Sequence, residues 1–300
     1  MISSDLKKTL IGVHGEQKAL KWVKDFPRLA STIETTYEGK IGTHFELSYH
    51  FVAPFHLDEV RSLVIKAGVP SHAFNLEVQA LKDFACNSIV RLFEEDSSEG
   101  WMLIEHLTPG YSLREVKEEE KRLDITARLL QELWRTPPER HSYPLMKQWA
   151  SGFERMRKTF DGGTGPLPAS KIEKAEKLFR QLLHSTDTPT LLHGDLHHGN
   201  ILYSERRGWI AIDAKGVVGD PASDLYPYLS NELLNVENPL TLLQQRIAFF
   251  SFALTIDPNR IIQWGFARSV LSAVWCVEDQ VDCWKDSLIM ANLFETLNEH

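Results

Sequence analysis

Hydrophobic and polar positions repeat with two different periods along this 300-residue chain. Residues 4–37 carry apolar side chains at helical spacing and predict two helices. Leu20, Trp22 and Val23 form the apolar face of the first, and Pro27 opens the second. From Phe45 to Ala53 the pattern turns extended, Val60 to Lys66 predicts a partner strand, and PFHLDE (54–59) predicts the loop between them. A helix over 74–84 follows GVPSH. Strands over 88–94 and 101–106 then flank the polar turn EDSSEG. After Leu107-Thr108-Pro109-Gly110 helical spacing takes over, predicting helices at 112–134, 144–159, 168–185, 222–230, 240–255, 258–276 and 278–297. The change of period places a boundary at 106–110. It divides an α+β unit, 1–106, with leading helices and an antiparallel sheet, from a larger, mainly helical unit, 107–300. A cleft between two such lobes is a natural place for a nucleotide.

One segment of the helical half breaks its period. In LLHGDLHHGNILYSERRGWIAIDAKGVVGDPASD (191–224), the runs 201–203 and 209–212 read as strands and SERRG (204–208) as their turn. Asn200 precedes the first strand and Asp213 follows the second, so an antiparallel hairpin brings them to the same end. Asp195 lies on the loop feeding in. Two hard oxygen donors beside a third, differently placed carboxylate are what chemistry on a magnesium nucleotide requires.

Bulk properties narrow the classes. Hydrophobic content of 43% supplies a sizeable core, and a net charge of −8 argues against a nucleic-acid binder. No apolar run approaches the roughly 18 residues of a membrane span, and MISSDLKKTL lacks a signal core. Cys86, Cys276 and Cys283 fit no zinc spacing and imply buried thiols in a reducing compartment. A soluble, cytoplasmic protein is expected.

HGDLHHGN followed by IDAKG resembles the core of the kinase-like phosphotransferases. More narrowly, SYHFVAP, VIKAGVP, HGDLHHGNIL and IDAKGVVGDP resemble the aminoglycoside and hydroxyurea phosphotransferase family, which contains streptomycin 6-kinases. The resemblance runs from about residue 40 to 290 and is densest at 191–224. It implies a two-lobed protein-kinase-like fold and an antibiotic-inactivating transfer of the ATP γ-phosphoryl group, with Mg²⁺, to a small-molecule hydroxyl, an aminoglycoside of the streptomycin type foremost. Asp195 then matches the catalytic aspartate that orients the acceptor, and Asn200 and Asp213 match the metal ligands. Lys66, at the end of the apolar strand LVIK, and Glu77, on the next helix, match the ion pair that anchors the α- and β-phosphates. Adenine recognition falls to the backbone of Glu105-His106-Leu107, with Ile65 and Ile104 as lids or as plain core. No GxGxxG is present. Ser48 and its neighbours stand in as the phosphate turn, unless 45–53 is a plain strand.

Three further groups carry two readings each. Lys215 either neutralises phosphate charge or faces solvent. Asp220 reads as a helix N-cap and Asp224 as a brace for the catalytic loop, both structural rather than catalytic; His197 and His198 receive no chemical role. Trp275, Glu278, Asp279, Asp282 and Asp286 recur at three- and four-residue steps. They form either an acidic face suited to ammonium or guanidinium groups of the acceptor, or a solvated face. The rivals to the main reading are a kinase of another small metabolite and a silent kinase-like binding module. The acceptor hydroxyl and the oligomeric state are not set by the sequence.

Overall fold

The computed structural model describes residues 2–47 and 49–298, so the Ser48 expectation falls outside the described residues. The chain forms two compact units, Met1–Tyr111 with Tyr203–Ile212, and Ser112–Leu202 with Asp213–His300. The first begins with helices α1 (Ser4–His14) and α2 (Glu16–Thr36). The break between them lies at Gly15, with φ of 80°, and not at Pro27, which sits inside α2. An interior proline costs about 3 kcal/mol. The burial of Ala19, Trp22, Phe26, Ala30 and Ile33 along one face of α2 offsets that cost, in a core shared with Phe51, Phe55, Ile65 and Leu103.

Strands β1 (Lys40–Ile41), β2 (Phe51–His56) and β3 (Ser62–Ala67) lead to α3 (His72–Phe84), β4 (Leu92–Asp96), β5 (Trp101–Glu105) and β6 (Pro109–Ser112). The main sheet runs β1-β2-β3-β5-β4 and is antiparallel throughout. Half of the segment expected as a loop, 54–56, belongs to β2. The turn lies one step later, where the Asp58 carboxylate accepts from the amides of Val60 and Arg61. The register sets Lys66 opposite Val52 on one side and Met102 on the other, so its side chain leaves the centre of the sheet. Ser71 caps α3 by accepting from the Phe74 amide, which orients that helix and the Glu77 it carries.

Strand β7 (Thr190–Leu192) belongs to the second unit, the chain passes to the first within β8 (Ile201–Ser204), and β9 (Gly208–Ala211) belongs to the first. The second unit also contains α4 (Glu119–Leu133), α5 (Met146–Trp149), α6 (Ser151–Thr159), α7 (Ala169–His184), β10 (Val217–Gly219), α8 (Tyr226–Ser230), α9 (Pro239–Leu254), α10 (Pro258–Glu278) and α11 (Trp284–Leu297). Helix α10 is its axis: Ile261, Trp264, Ala267, Leu271 and Val274 are all fully buried. Three helix boundaries differ from the periodic reading. Residues 113–115 form a 3₁₀ turn ahead of α4, because Glu115 reaches back to the Ser112 amide. The expected helix over 144–159 divides at Ala150 into α5 and α6. Helix α11 starts at Trp284 and not 278. The two cysteines at that last junction are also not thiols: Cys276 and Cys283 form a disulfide, leaving Cys86 as the free cysteine.

Candidate active site

The segment 191–224 builds its site from backbone inward. β7 pairs antiparallel with β10, Leu192 opposite Val217, and the Lys215 amide donates to the His193 carbonyl at 2.9 Å. These contacts bring the two ends of the motif side by side in the second unit. Asp224, fully buried, accepts from the amides of His193 (3.1 Å) and Gly194 (2.7 Å) and from Trp134 Nε1 (2.9 Å). That is the brace expected of it. Gly194 takes a φ of 85°, and a Cβ there would meet Val217 and Lys215 at 3.2 and 3.3 Å. The sharp turn therefore requires glycine and delivers the next residue, Asp195, to the surface of the loop.

Asn200 donates its Nδ2 to the Asp195 carbonyl at 2.9 Å. This fixes the amide with Oδ1 as its remaining acceptor. Asp213, the second expected metal residue, adopts a left-handed φ of 60° at the far end of the hairpin. An Asp held in that conformation commonly marks a functional turn. Lys215 Nζ lies 3.9 Å from Asp195 Oδ2, and the Lys215 side chain is about half exposed, at 53%. Burial raises the Asp195 carboxyl above its ordinary value. Lys215, His197 and Arg268 oppose the rise, and Asp213 adds to it. Among the described residues no cluster of three or more His, Cys, Asp or Glu could hold a metal. Asn200 Oδ1 and the Asp213 carboxylate are the oxygen donors that would hold Mg²⁺, which takes one or two protein ligands when phosphates and waters complete its octahedron.

Lys66 and Glu77 meet within the first unit. Their Nζ and Oε1 are 2.6 Å apart, and both residues are buried. A buried ammonium needs such a partner. Glu105 ends β5, and its carboxylate is taken by Arg207, whose guanidinium also donates to the carbonyls of Asn87 and Ile89. Leu107 is buried just beyond. Sequence reading missed Arg207 because its partners lie about a hundred positions away.

The acidic stripe is not one helix face. Trp275 and Glu278 end α10, Asp279 caps it, and Asp282 lies in the disulfide-closed turn before α11. Glu278 is paired end-on with Arg155 through two 2.9 Å bonds, and Asp282 lies 3.7 Å from Lys285. Trp275 packs edge-on against Trp149 at 5.6 Å. His198, stacked on Tyr228 at 4.1 Å, is pushed down to a pKa of about 3, chiefly by burial. It is therefore a neutral core residue, in keeping with its having no chemical role.

Comparison with known proteins places the chain among its relatives. The chain is 24% identical over 262 residues to streptomycin 6-kinase of Streptomyces glaucescens, covering 86% of this chain and 85% of that one. It is 29% identical over 228 residues to hydroxyurea phosphotransferase of Kitasatospora aureofaciens, covering 72% and 62%. The fold is shared with the choline kinase of Streptococcus pneumoniae, with a TM-score of 0.65 at 13% identity over 90% of this chain and 98% of that one. This establishes the kinase-like α+β fold. A family model described as aminoglycoside/hydroxyurea antibiotic resistance kinase matches residues 72–280, and the chain belongs to that family.

Proposed function

We propose that the protein transfers the γ-phosphoryl group of ATP, with Mg²⁺, to a hydroxyl of an aminoglycoside of the streptomycin type. The observation that carries this reading is the catalytic loop. Asp224 pins its backbone, Gly194 turns it, and Asn200 is bonded to the carbonyl of Asp195. A loop so constrained holds a carboxylate and an amide oxygen at fixed separation. Phosphoryl transfer draws most of its acceleration from such positioning and charge placement.

In this reading Asp195 accepts a hydrogen bond from the acceptor hydroxyl, aligns its oxygen and takes its proton as the new P–O bond forms and the bond from the γ-phosphorus to the bridging oxygen of the departing ADP breaks. Its raised carboxyl makes it a better proton acceptor than an exposed aspartate. Lys66, held by Glu77, anchors phosphate oxygens, and Lys215 places a second cation beside Asp195. Asn200 and Asp213 would hold the metal, which would supply neutralisation of the phosphate charge. The backbone of 105–107 receives the adenine. The streptomycin 6-kinase relative, aligned over 85% of its length, supports the acceptor class. The test is ATP consumption by the full chain with streptomycin, other aminoglycosides, hydroxyurea and choline in turn. Turnover with streptomycin is expected. Turnover with choline and not with streptomycin would favour a metabolite kinase, and nucleotide binding without turnover would favour a silent module.

A further inference from the structure

The residue after the stacked His198 is Gly199, between Asp195 and Asn200, and its lack of a side chain has a specific beneficiary. A Cβ built on Gly199 would lie 3.1 Å from Nη2 of Arg114 and 3.2 Å from its Cζ. The guanidinium thus rests directly on the catalytic loop. Arg114 comes from the 3₁₀ turn Leu113–Glu115 in the same unit, and its side chain is about half exposed, at 51%. Its backbone is secured by another residue: Arg122 Nη2 donates to the Arg114 carbonyl at 2.7 Å. Its side chain is steadied by Glu232, 3.3 Å from Nε, which occupies a left-handed conformation with φ of 61°.

The donors of Arg114 are unspent. Two arginines that serve the fold of this unit spend several of theirs. Arg246 donates to Glu119 and to three backbone carbonyls, and Arg157 grips Glu176 with two bonds. Arg114 makes no side-chain hydrogen bond to any described residue; it is ion-paired through Nε with Glu232, lies against Gly199 and acts on His197 through charge alone. Its Nη2 is left beside the loop that carries Asp195. An arginine fork aimed at nothing within its own protein is suited to a pair of oxygens supplied from outside.

We propose that Arg114 is an acceptor-binding residue, its two Nη groups donating to a pair of adjacent oxygens on the acceptor, such as neighbouring hydroxyls of a sugar or cyclitol ring. This rests on the phosphotransferase reading above and adds to it a selection rule. The acceptor presents a vicinal oxygen pair beside the hydroxyl that is phosphorylated, and the fork sets which hydroxyl faces Asp195. The rule does not depend on cationic groups of the acceptor, whose expected partner Glu278 is already held by Arg155.

Steady-state kinetics of the full chain test it, with streptomycin as the probe. Arg114→Ala is expected to raise the KM for streptomycin roughly 10- to 100-fold, with the KM for Mg·ATP changed by less than about threefold. Millimolar guanidine hydrochloride should restore part of the loss. Arg114→Lys should recover less than the parent, because an ammonium lacks the fork. An unchanged streptomycin KM overturns the proposal. So does a joint fall in thermal stability and rise in both KM values, which would make Arg114 a structural latch. Absence of turnover by the parent on every hydroxylated acceptor removes the phosphotransferase reading and the proposal with it. That failure is distinguishable because the parent and Asp195→Ala would then behave alike.

Discussion

Replacing Asp224 should damage both stability and turnover, by amounts that its surroundings set. The carboxylate is 1% exposed and accepts three N–H groups, from His193, Gly194 and Trp134. Burial holds its carboxyl above the ordinary value, opposed by those donors and by Arg268. Asp224→Ala leaves all three donors without an acceptor, at about 1–3 kcal/mol each. Water entering the vacated space recovers part of this, so the expected loss is roughly 3–6 kcal/mol. Arg268 adds to the cost. It is buried with its Nε unpaired among the described residues, lies 4.6 Å over the Trp149 ring, and would lose a nearby counter-charge. A loss of that size approaches the whole stability of a typical domain, about 5–15 kcal/mol. Asp224→Asn is therefore the companion variant: it keeps the volume and one acceptor, and should cost about 1–3 kcal/mol. Urea unfolding followed by far-UV circular dichroism gives the stability change. The kcat of the folded Asn variant reports the loop, and should fall tenfold or more as Asp195 loses its fixed direction. If both variants unfold within about 1 kcal/mol of the parent, and Asp224→Asn keeps kcat within about threefold, Asp224 is not the brace argued here.

Three further outcomes follow from the geometry. Asp195→Ala should abolish ATP-dependent turnover while leaving the nucleotide Kd within about threefold by isothermal titration; retained turnover would remove Asp195 from its assigned role. Glu77→Gln removes the negative charge facing a buried ammonium 2.6 Å away. It should cost roughly 3–5 kcal/mol in urea unfolding and weaken ATP binding. A change below about 1 kcal/mol would mean Lys66 finds another acceptor. Thiol titration of the unreduced, denatured chain should count one reactive cysteine, Cys86, and three after reduction. Closing the seven-residue span Cys276–Cys283 contributes about 2.5 kcal/mol on the chain-entropy estimate. Three reactive thiols without reductant would refute the pairing.

What could be read from the sequence was what neighbours in sequence determine. Asp195, Asn200 and Asp213 sit within one short hairpin, so residue types and turn signals alone brought them together. The Lys66 and Glu77 pairing rests on a strand followed at once by a helix, again a local relation. The readings that changed all hinge on distant partners. Pro27 has the local signature of a helix start, yet α2 passes through it because the sheet behind Trp22 and Phe26 provides a core that outweighs one lost bond. Glu278 has the periodicity of a free acidic face, yet Arg155, 123 positions away, takes both its oxygens. Cys276 and Cys283 lie seven apart, a spacing that says nothing until α10 ends and α11 turns back. The same distinction locates the chemistry. The loop residues proposed for the transfer, Asp195, Asn200 and Asp213, lie close together in the chain, and each could be picked out from sequence alone. On the proposed reading the acceptor meets Arg114, which reaches the loop at Gly199 from the separate turn Leu113–Glu115. Selection among acceptors is therefore a tertiary property in this protein, and substitutions that change it should fall outside the 191–224 segment.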